Sequence, residues 1–209
     1  MNITSLTTTI RANKTFFTSY GLLAFAGLYP LLAYDKTTLF LKINAVHHPI
    51  LDQFCYYVTH LGSSLTYGLL LVVLWLGRVP PRKLFIGASS FVVMSAIVQA
   101  LKRIVFPGQL RPIALIPDPN QLHLVDQVTI LRHLSFPSGH AATIFAAACF
   151  LNLIAPTKHP GYSIAWLLIA TMVAYSRVYL CQHFYTDVYM GALIGGGTAV
   201  LVYAWLQDG

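Results

Sequence analysis

The chain contains no glutamate; all six acidic residues are aspartate, and charged residues of both signs make up only 9% of its 209 positions. Typical globular proteins carry about 25%. So little charge excludes a disordered chain, a coiled coil and a well-solvated soluble enzyme. Cysteine is nearly absent too. Cys55, Cys149 and Cys181 are odd in number and follow no metal or disulfide spacing, so they read as buried apolar residues. A basic block is also lacking: 13 Lys and Arg give a net charge of +7, but they are scattered between apolar runs. Nucleic acid is therefore not an expected partner. The first apolar run lacks the short core and small-residue site of a cleavable signal, and none is expected.

What the chain has in abundance is apolar length. Hydrophobic residues are 56% of it, and its mean hydropathy is +0.66. Six apolar segments run roughly over 16–34, 54–76, 84–105, 137–155, 162–180 and 186–206. Each approaches the ~20 residues that carry a helix across a bilayer. Inside lipid the backbone must satisfy its own hydrogen bonds, so the expected fold is all-α, a polytopic bundle of six transmembrane helices. The connection from Tyr34 to Phe54 mixes polar and apolar residues and reads as a short amphipathic helix along the interface. The connection from Pro107 to Phe136 is long, and loops of that size usually serve a function.

Orientation follows from the flanking cations. With the N-terminus inside, Arg11, Lys14, Arg78, Arg82, Lys83 and Lys158 face the cytoplasm, and Lys36, Lys42, Lys102, Arg103, Arg111, Arg132 and Arg177 face out. Four of the outer group belong to a candidate anion site. Setting Lys102, Arg103, Arg111 and Arg177 aside leaves six inside against three outside. Both termini are therefore expected in the cytoplasm, with the polar cluster on the extracytoplasmic face of the cell (inner) membrane.

That cluster comes from three stretches: Lys102-Arg103 with Arg111-Pro112, then Pro137-Ser138-Gly139-His140, then Ser176-Arg177 with His183 and Asp187. Ionisable groups at a membrane edge are costly unless paired or hydrated, which makes them functional candidates. Arg offers a planar fork to phosphate oxygens and Lys a point charge. Pro-Ser-Gly-His reads as a helix N-terminus whose free N–H groups and dipole favour an anion. His183 and Asp187 are four apart, so on one helical turn the carboxylate reaches the imidazole, fixes its tautomer and leaves the other nitrogen as nucleophile or base. His140 is a second imidazole, free to act as general acid. These parts suit phosphoryl transfer in which side-chain cations stabilise the charge that Mg²⁺ handles elsewhere.

On these motifs the sequence resembles the type 2 phosphatidic acid phosphatase (PAP2) superfamily of lipid phosphate phosphatases, whose signature is Lys-x6-Arg-Pro, Pro-Ser-Gly-His and Ser-Arg-x5-His-x3-Asp. The second part matches at Pro137 to His140 and the third without gaps from Ser176 to Asp187. The resemblance covers about residues 50–206, within a single membrane domain spanning 1–209 that begins with a short cytoplasmic segment, 1–15. The first part departs: eight residues separate Lys102 from Arg111, and seven separate Arg103 from it. We read a small insertion in Phe106 to Leu110 and expect Lys102, by residue type, to fill the role.

The resemblance implies that His183 attacks phosphorus and forms a phosphohistidine, and that Asp187 orients it. His140 then protonates the leaving oxygen and activates water. Lys102, Arg111, Ser138, Gly139 and Arg177 hold the phosphate. No metal or other cofactor is implied; the partners are the bilayer and a membrane lipid phosphate. Lipid A, undecaprenyl diphosphate and phosphatidylglycerophosphate are all compatible substrates. Outside the enzyme class, a non-catalytic lipid-phosphate binder or transporter is the alternative. The remaining histidines read as loop or packing residues, as does Ser135, a candidate cap. Asp52 is given no catalytic role. Gly191, Gly195, Gly196 and Gly197 read as close helix packing. Trp75, Trp166 and Trp205 read as interfacial anchors.

Overall fold

The computed structural model describes residues 3–157 and 159–207; Lys158, counted above among the inner cations, lies outside the described residues. Among the described residues the structure is helical, with no β-strand. The helices are α1 (Ile3–Ala12), α2 (Lys14–Ala33), α3 (Lys36–Asn44), α4 (Pro49–Val58), α5 (Ser64–Leu76), α6 (Pro81–Ala100), α7 (Pro112–Leu115), α8 (Gly139–Ile154), α9 (Pro160–Tyr179) and α10 (Tyr185–Leu206).

All six apolar segments fall on helices, but they do not make six equivalent crossings. α2, α9, α10 and the stretch Pro81–Val105 are each long and apolar enough to cross a membrane. The second segment is broken: Pro49–Gly62 and Ser64–Leu76 meet at 62°. The break coincides with a close approach to α8. Gly62, in the 3₁₀ turn Thr59–Gly62, lies so close to α8 that a Cβ would come within 2.9 Å of the His140 carbonyl oxygen. Ser63 then starts α5, its hydroxyl accepting from Thr66 N at 3.1 Å. α8 has only 16 residues, about 24 Å of helix, against a hydrocarbon core of about 30 Å. The segment from Tyr34 to Phe54 holds α3, capped by Asp35, which accepts from Thr37 N and Thr38 N.

α8 forms the axis of the bundle. Its residues from Ala141 to Phe150 are all buried, and α10, α9 and α6 pack around it. The closest approach is to α10. A Cβ on Gly195 would fall 2.1 Å from Ala142 O, and one on Gly191 2.4 Å from Ser138 O. These glycines serve helix contact, and Gly196 likewise lies against the Tyr20 ring; Gly197 has open space around it. α2 sits at the outside, joined to α10 by three tyrosine hydroxyls. Tyr20 donates to Ala192 O, Tyr185 to Gly27 O and Tyr189 to Ala24 O.

The end of the bundle away from the α8 N-terminus is closed by polar contacts. Arg82 donates to Leu206 O and Gln207 O, and Lys83 to Ile154 O. The two cations thus cap the C-termini of α10 and α8, where the helix dipole favours them. Asn152 donates to Asn13 and accepts from Ser163, while Gln207 reaches Ser5 and Thr9. Both ends of the described chain therefore gather on one side of the bundle, opposite the His140 end.

Candidate active site

Every residue expected at the site lies at the N-terminal end of α8 or on elements packed around it. Ser138 is the N-cap: its hydroxyl accepts from Ala141 N at 3.4 Å, and its own N–H donates to Asp187 O at 2.8 Å. Gly139 follows, and a Cβ there would meet only Val98, at 3.9 Å. The protein leaves the space over this helix start open, as an anion approaching free N–H groups requires. His140 is half-buried and within electrostatic range of Arg177, Arg111 and Lys102.

The spacing argument for His183 and Asp187 needs correcting. Asp187 sits in the first turn of α10, but His183 precedes the helix, in the turn after α9, with its N–H donating to Arg177 O. The carboxylate reaches back because the turn is tight, with Cys181 in the left-handed region at φ 56°. Asp187 Oδ2 accepts from Phe184 N at 3.0 Å and from Ser135 Oγ at 2.5 Å. His183 Nδ1 lies 3.5 Å from the same oxygen, beyond a good hydrogen bond, and has no partner among the described residues. Burial pushes the His183 imidazole well below its ordinary pKa, Asp187 opposes this, and the Arg111 and Arg177 charges add to the lowering. The ring is therefore neutral, the form a nucleophile needs.

The cations are held by backbone oxygens. Lys102 Nζ donates to Leu134 O at 2.6 Å and Ser135 O at 3.2 Å. Arg111 donates through Nε to His133 O, and through Nη1 to both the carbonyl and the side chain of Gln182. The stretch His133–Ser135 thus fixes both cations by its carbonyls and the acid by its hydroxyl. Leu134 pays with a left-handed backbone, φ 55°, of the kind that clusters at functional sites. Arg177 donates through Nη1 to Thr59 Oγ1 at 2.6 Å, while its Nε is buried with no partner among the described residues. An uncompensated buried donor on a cation is costly unless an anion meets it.

Lys102 and Arg103 point apart. Lys102 is buried, whereas Arg103 is exposed and bonded to Gln99. The extra spacing begins earlier than Phe106. Residues Leu101–Val105 form a π turn, with Phe106 N donating to Leu101 O at 2.8 Å, so one residue is absorbed before the loop starts. Ser135, Thr59 and Gln182 were not expected at the site. Their only sequence signal is proximity to the motifs, and for Thr59 not even that.

Comparison with known proteins agrees with this arrangement. The chain is 30% identical to a lipid A 4'-phosphatase of Bacteroides thetaiotaomicron over 182 residues, covering 80% of this chain and 75% of that protein. A lipid A 1-phosphatase of Porphyromonas gingivalis is 38% identical over 74 residues, 35% of this chain but only 16% of the longer relative. The crystal structure of Aquifex aeolicus LpxE superposes with a TM-score of 0.69 at 29% identity, covering 81% of this chain and 96% of that one. The PAP2 superfamily model matches residues 83–209, well over half of the sequence and the whole set of site motifs. With the three motifs converging on one helix start, the chain belongs to the PAP2 superfamily.

Proposed function

We propose that this protein is an integral membrane phosphatase that hydrolyses a phosphate monoester or pyrophosphate of a membrane lipid through a phosphohistidine. The observation that carries the reading is the pair of unsatisfied buried groups, Arg177 Nε and His183 Nδ1, gathered with two further cations at the start of α8. A phosphate over that helix start gives Arg177 its missing acceptor. Lys102, Arg111 and the first N–H groups of α8 supply the remaining positive field, so the charge of the transferring group is met by fixed donors.

In the first step His183 Nε2 attacks phosphorus. As positive charge develops on the ring, the 3.5 Å gap from Nδ1 to Asp187 closes to a charge-assisted hydrogen bond. Catalytic contacts commonly tighten in this way when substrate binds. The phosphorus–oxygen bond to the lipid breaks, and His140 gives the departing oxygen its proton. His140, having given up that proton, takes one from water, which attacks the phosphohistidine and releases phosphate and free His183.

Six crossings would place both termini on the same face, a reading supported by the contacts of Ser5 with Ala204 and Gln207. The excess of cations at that end supports a cytoplasmic assignment and puts the site on the extracytoplasmic leaflet of the cell membrane. Among lipid substrates, the 30% identity to a lipid A 4'-phosphatase favours lipid A. The test is phosphate release by detergent-purified protein, in EDTA, from phosphatidate, phosphatidylglycerophosphate, undecaprenyl diphosphate and lipid A. EDTA-resistant release lost in His183→Ala supports the reading. Binding of these lipids without release points instead to a binder or transporter.

A further inference from the structure

Among several apolar hollows on the sides of the bundle, two reach α9, and the site's geometry separates them. The larger, about 350 Å³, lies between α2 and the α9–α10 pair and includes Val178, Tyr185 and Val188. Val178 and Val188 directly follow Arg177 and Asp187, and adjacent helical residues face different ways. The smaller, about 190 Å³, lies between α5, α8 and α9; its walls include Ile144, Leu151, Tyr67, Leu70 and Trp166. It shares a helical face with the site. His140, Ile144, Ala147, Ala148 and Leu151 fall at i, i+4, i+7, i+8 and i+11, one continuous stripe of α8.

Two of the polar side chains along this smaller cleft are satisfied by backbone carbonyls. The Tyr67 hydroxyl donates to Gly87 O at 3.0 Å, and Thr66 Oγ1 donates to His60 O at 2.6 Å. Both turn their polar atoms away from the hollow and present carbon. At the site end the cleft is bounded by Leu61, beside Gly62, which is packed directly on His140. From His140 to Leu151 the stripe covers 12 residues, about 16 Å of helix from first to last. That matches one leaflet, about 15 Å of hydrocarbon.

We infer that this cleft holds the hydrocarbon chain of the leaving alcohol. The inference rests on the role proposed for His140. The group that protonates the leaving oxygen must stand beside it, and in an in-line displacement that oxygen is opposite His183. The chain bonded to that oxygen therefore departs on the His140 side, where the apolar stripe begins one turn further along. A chain there buries apolar surface against both α5 and α8, and the wall sets which chain lengths bind well. Trp166, expected at an interface, also lines the cleft.

The test fills the cleft from either wall with Leu70→Trp and Leu151→Trp, two half-buried positions outside the phosphate-binding set. Leu193→Trp, in the larger hollow, is the comparison. Phosphate release is followed with phosphatidates of 8, 12 and 16 carbon chains (approximate series members chosen to span a leaflet, about 15 Å) and with p-nitrophenyl phosphate, which has no chain. The inference predicts that either cleft variant raises KM for the longest phosphatidate roughly tenfold, with kcat/KM for p-nitrophenyl phosphate unchanged. Loss of activity on both substrate types in both cleft variants overturns it, since the residues are then merely structural. Unchanged chain dependence, or a chain-selective loss confined to Leu193→Trp, overturns it as well. If wild-type protein hydrolyses neither these substrates nor the lipid A of the panel above, the phosphatase reading itself fails, and this outcome is distinct from the others.

Discussion

Ser135 Oγ donates to Asp187 Oδ2, the same carboxylate oxygen that faces His183 Nδ1 from 3.5 Å. The hydroxyl holds the acid in place beside the imidazole, and its residue also offers a carbonyl to Lys102. Ser135→Ala removes only the first of these contacts. Hydrogen bonds to charged groups are worth about 1.5–3 kcal/mol, so kcat should fall roughly 10- to 100-fold. KM should stay near the wild-type value, because no phosphate ligand is touched. Steady-state kinetics check this, and a rise in KM at constant kcat would assign Ser135 to binding instead.

Arg177 depends in the same way on Thr59. Thr59→Val keeps the volume but leaves the guanidinium without its holder. KM should rise roughly tenfold, the value of one charged hydrogen bond, with a smaller change in kcat. Arg177→Lys should not rescue binding, because an ammonium cannot reach both Thr59 and a phosphate oxygen through a rigid fork.

Lys102 and Arg103 should differ sharply despite being neighbours. Lys102→Ala strips the donor from Leu134 O and Ser135 O and should lower both activity and thermal stability. Arg103→Ala breaks one exposed contact to Gln99 and should leave both within about twofold of wild type. The comparison is made by melting temperature and kcat/KM in the same detergent.

The His183 imidazole also gives a pH signature. Its pKa is about 3 in the folded protein, against about 6.5 for a free histidine. Between these values the unfolded chain binds a proton that the folded one does not, so stability falls as pH drops from 6.5 toward 3. Above the upper value this contribution is constant. His183→Gln should flatten the slope of melting temperature against pH in that window. An unchanged slope would show that His183 is not buried as a neutral ring.

Much of this was legible in the sequence. The apolar runs marked every long helix, and Pro137 to His140 announced a helix start because its residue types suit one. What could not be read was the set of groups that hold the site residues. Leu134 and Cys181 adopt left-handed backbones with no glycine to signal them. Ser135 looks like any cap until α10 brings Asp187 beside it. Thr59 lies far from Arg177 in sequence and meets it because the turn Thr59–Gly62 packs on both α8 and α9. The same turn is where a single apolar segment, 54–76, became two helices. Polar and small residues at 59–64 interrupt its hydropathy there, and Ser63 caps the second helix.

The central claim is that His183 becomes covalently phosphorylated. The direct measurement mixes purified protein with phosphatidate carrying ³²P in its phosphate, quenches in alkali within milliseconds, and maps the label by peptide analysis. The account predicts an alkali-stable, acid-labile phosphoryl group on the His183 peptide, absent from a folded His183→Ala variant. Turnover with no label on the protein, or label on a peptide other than that of His183, would contradict it.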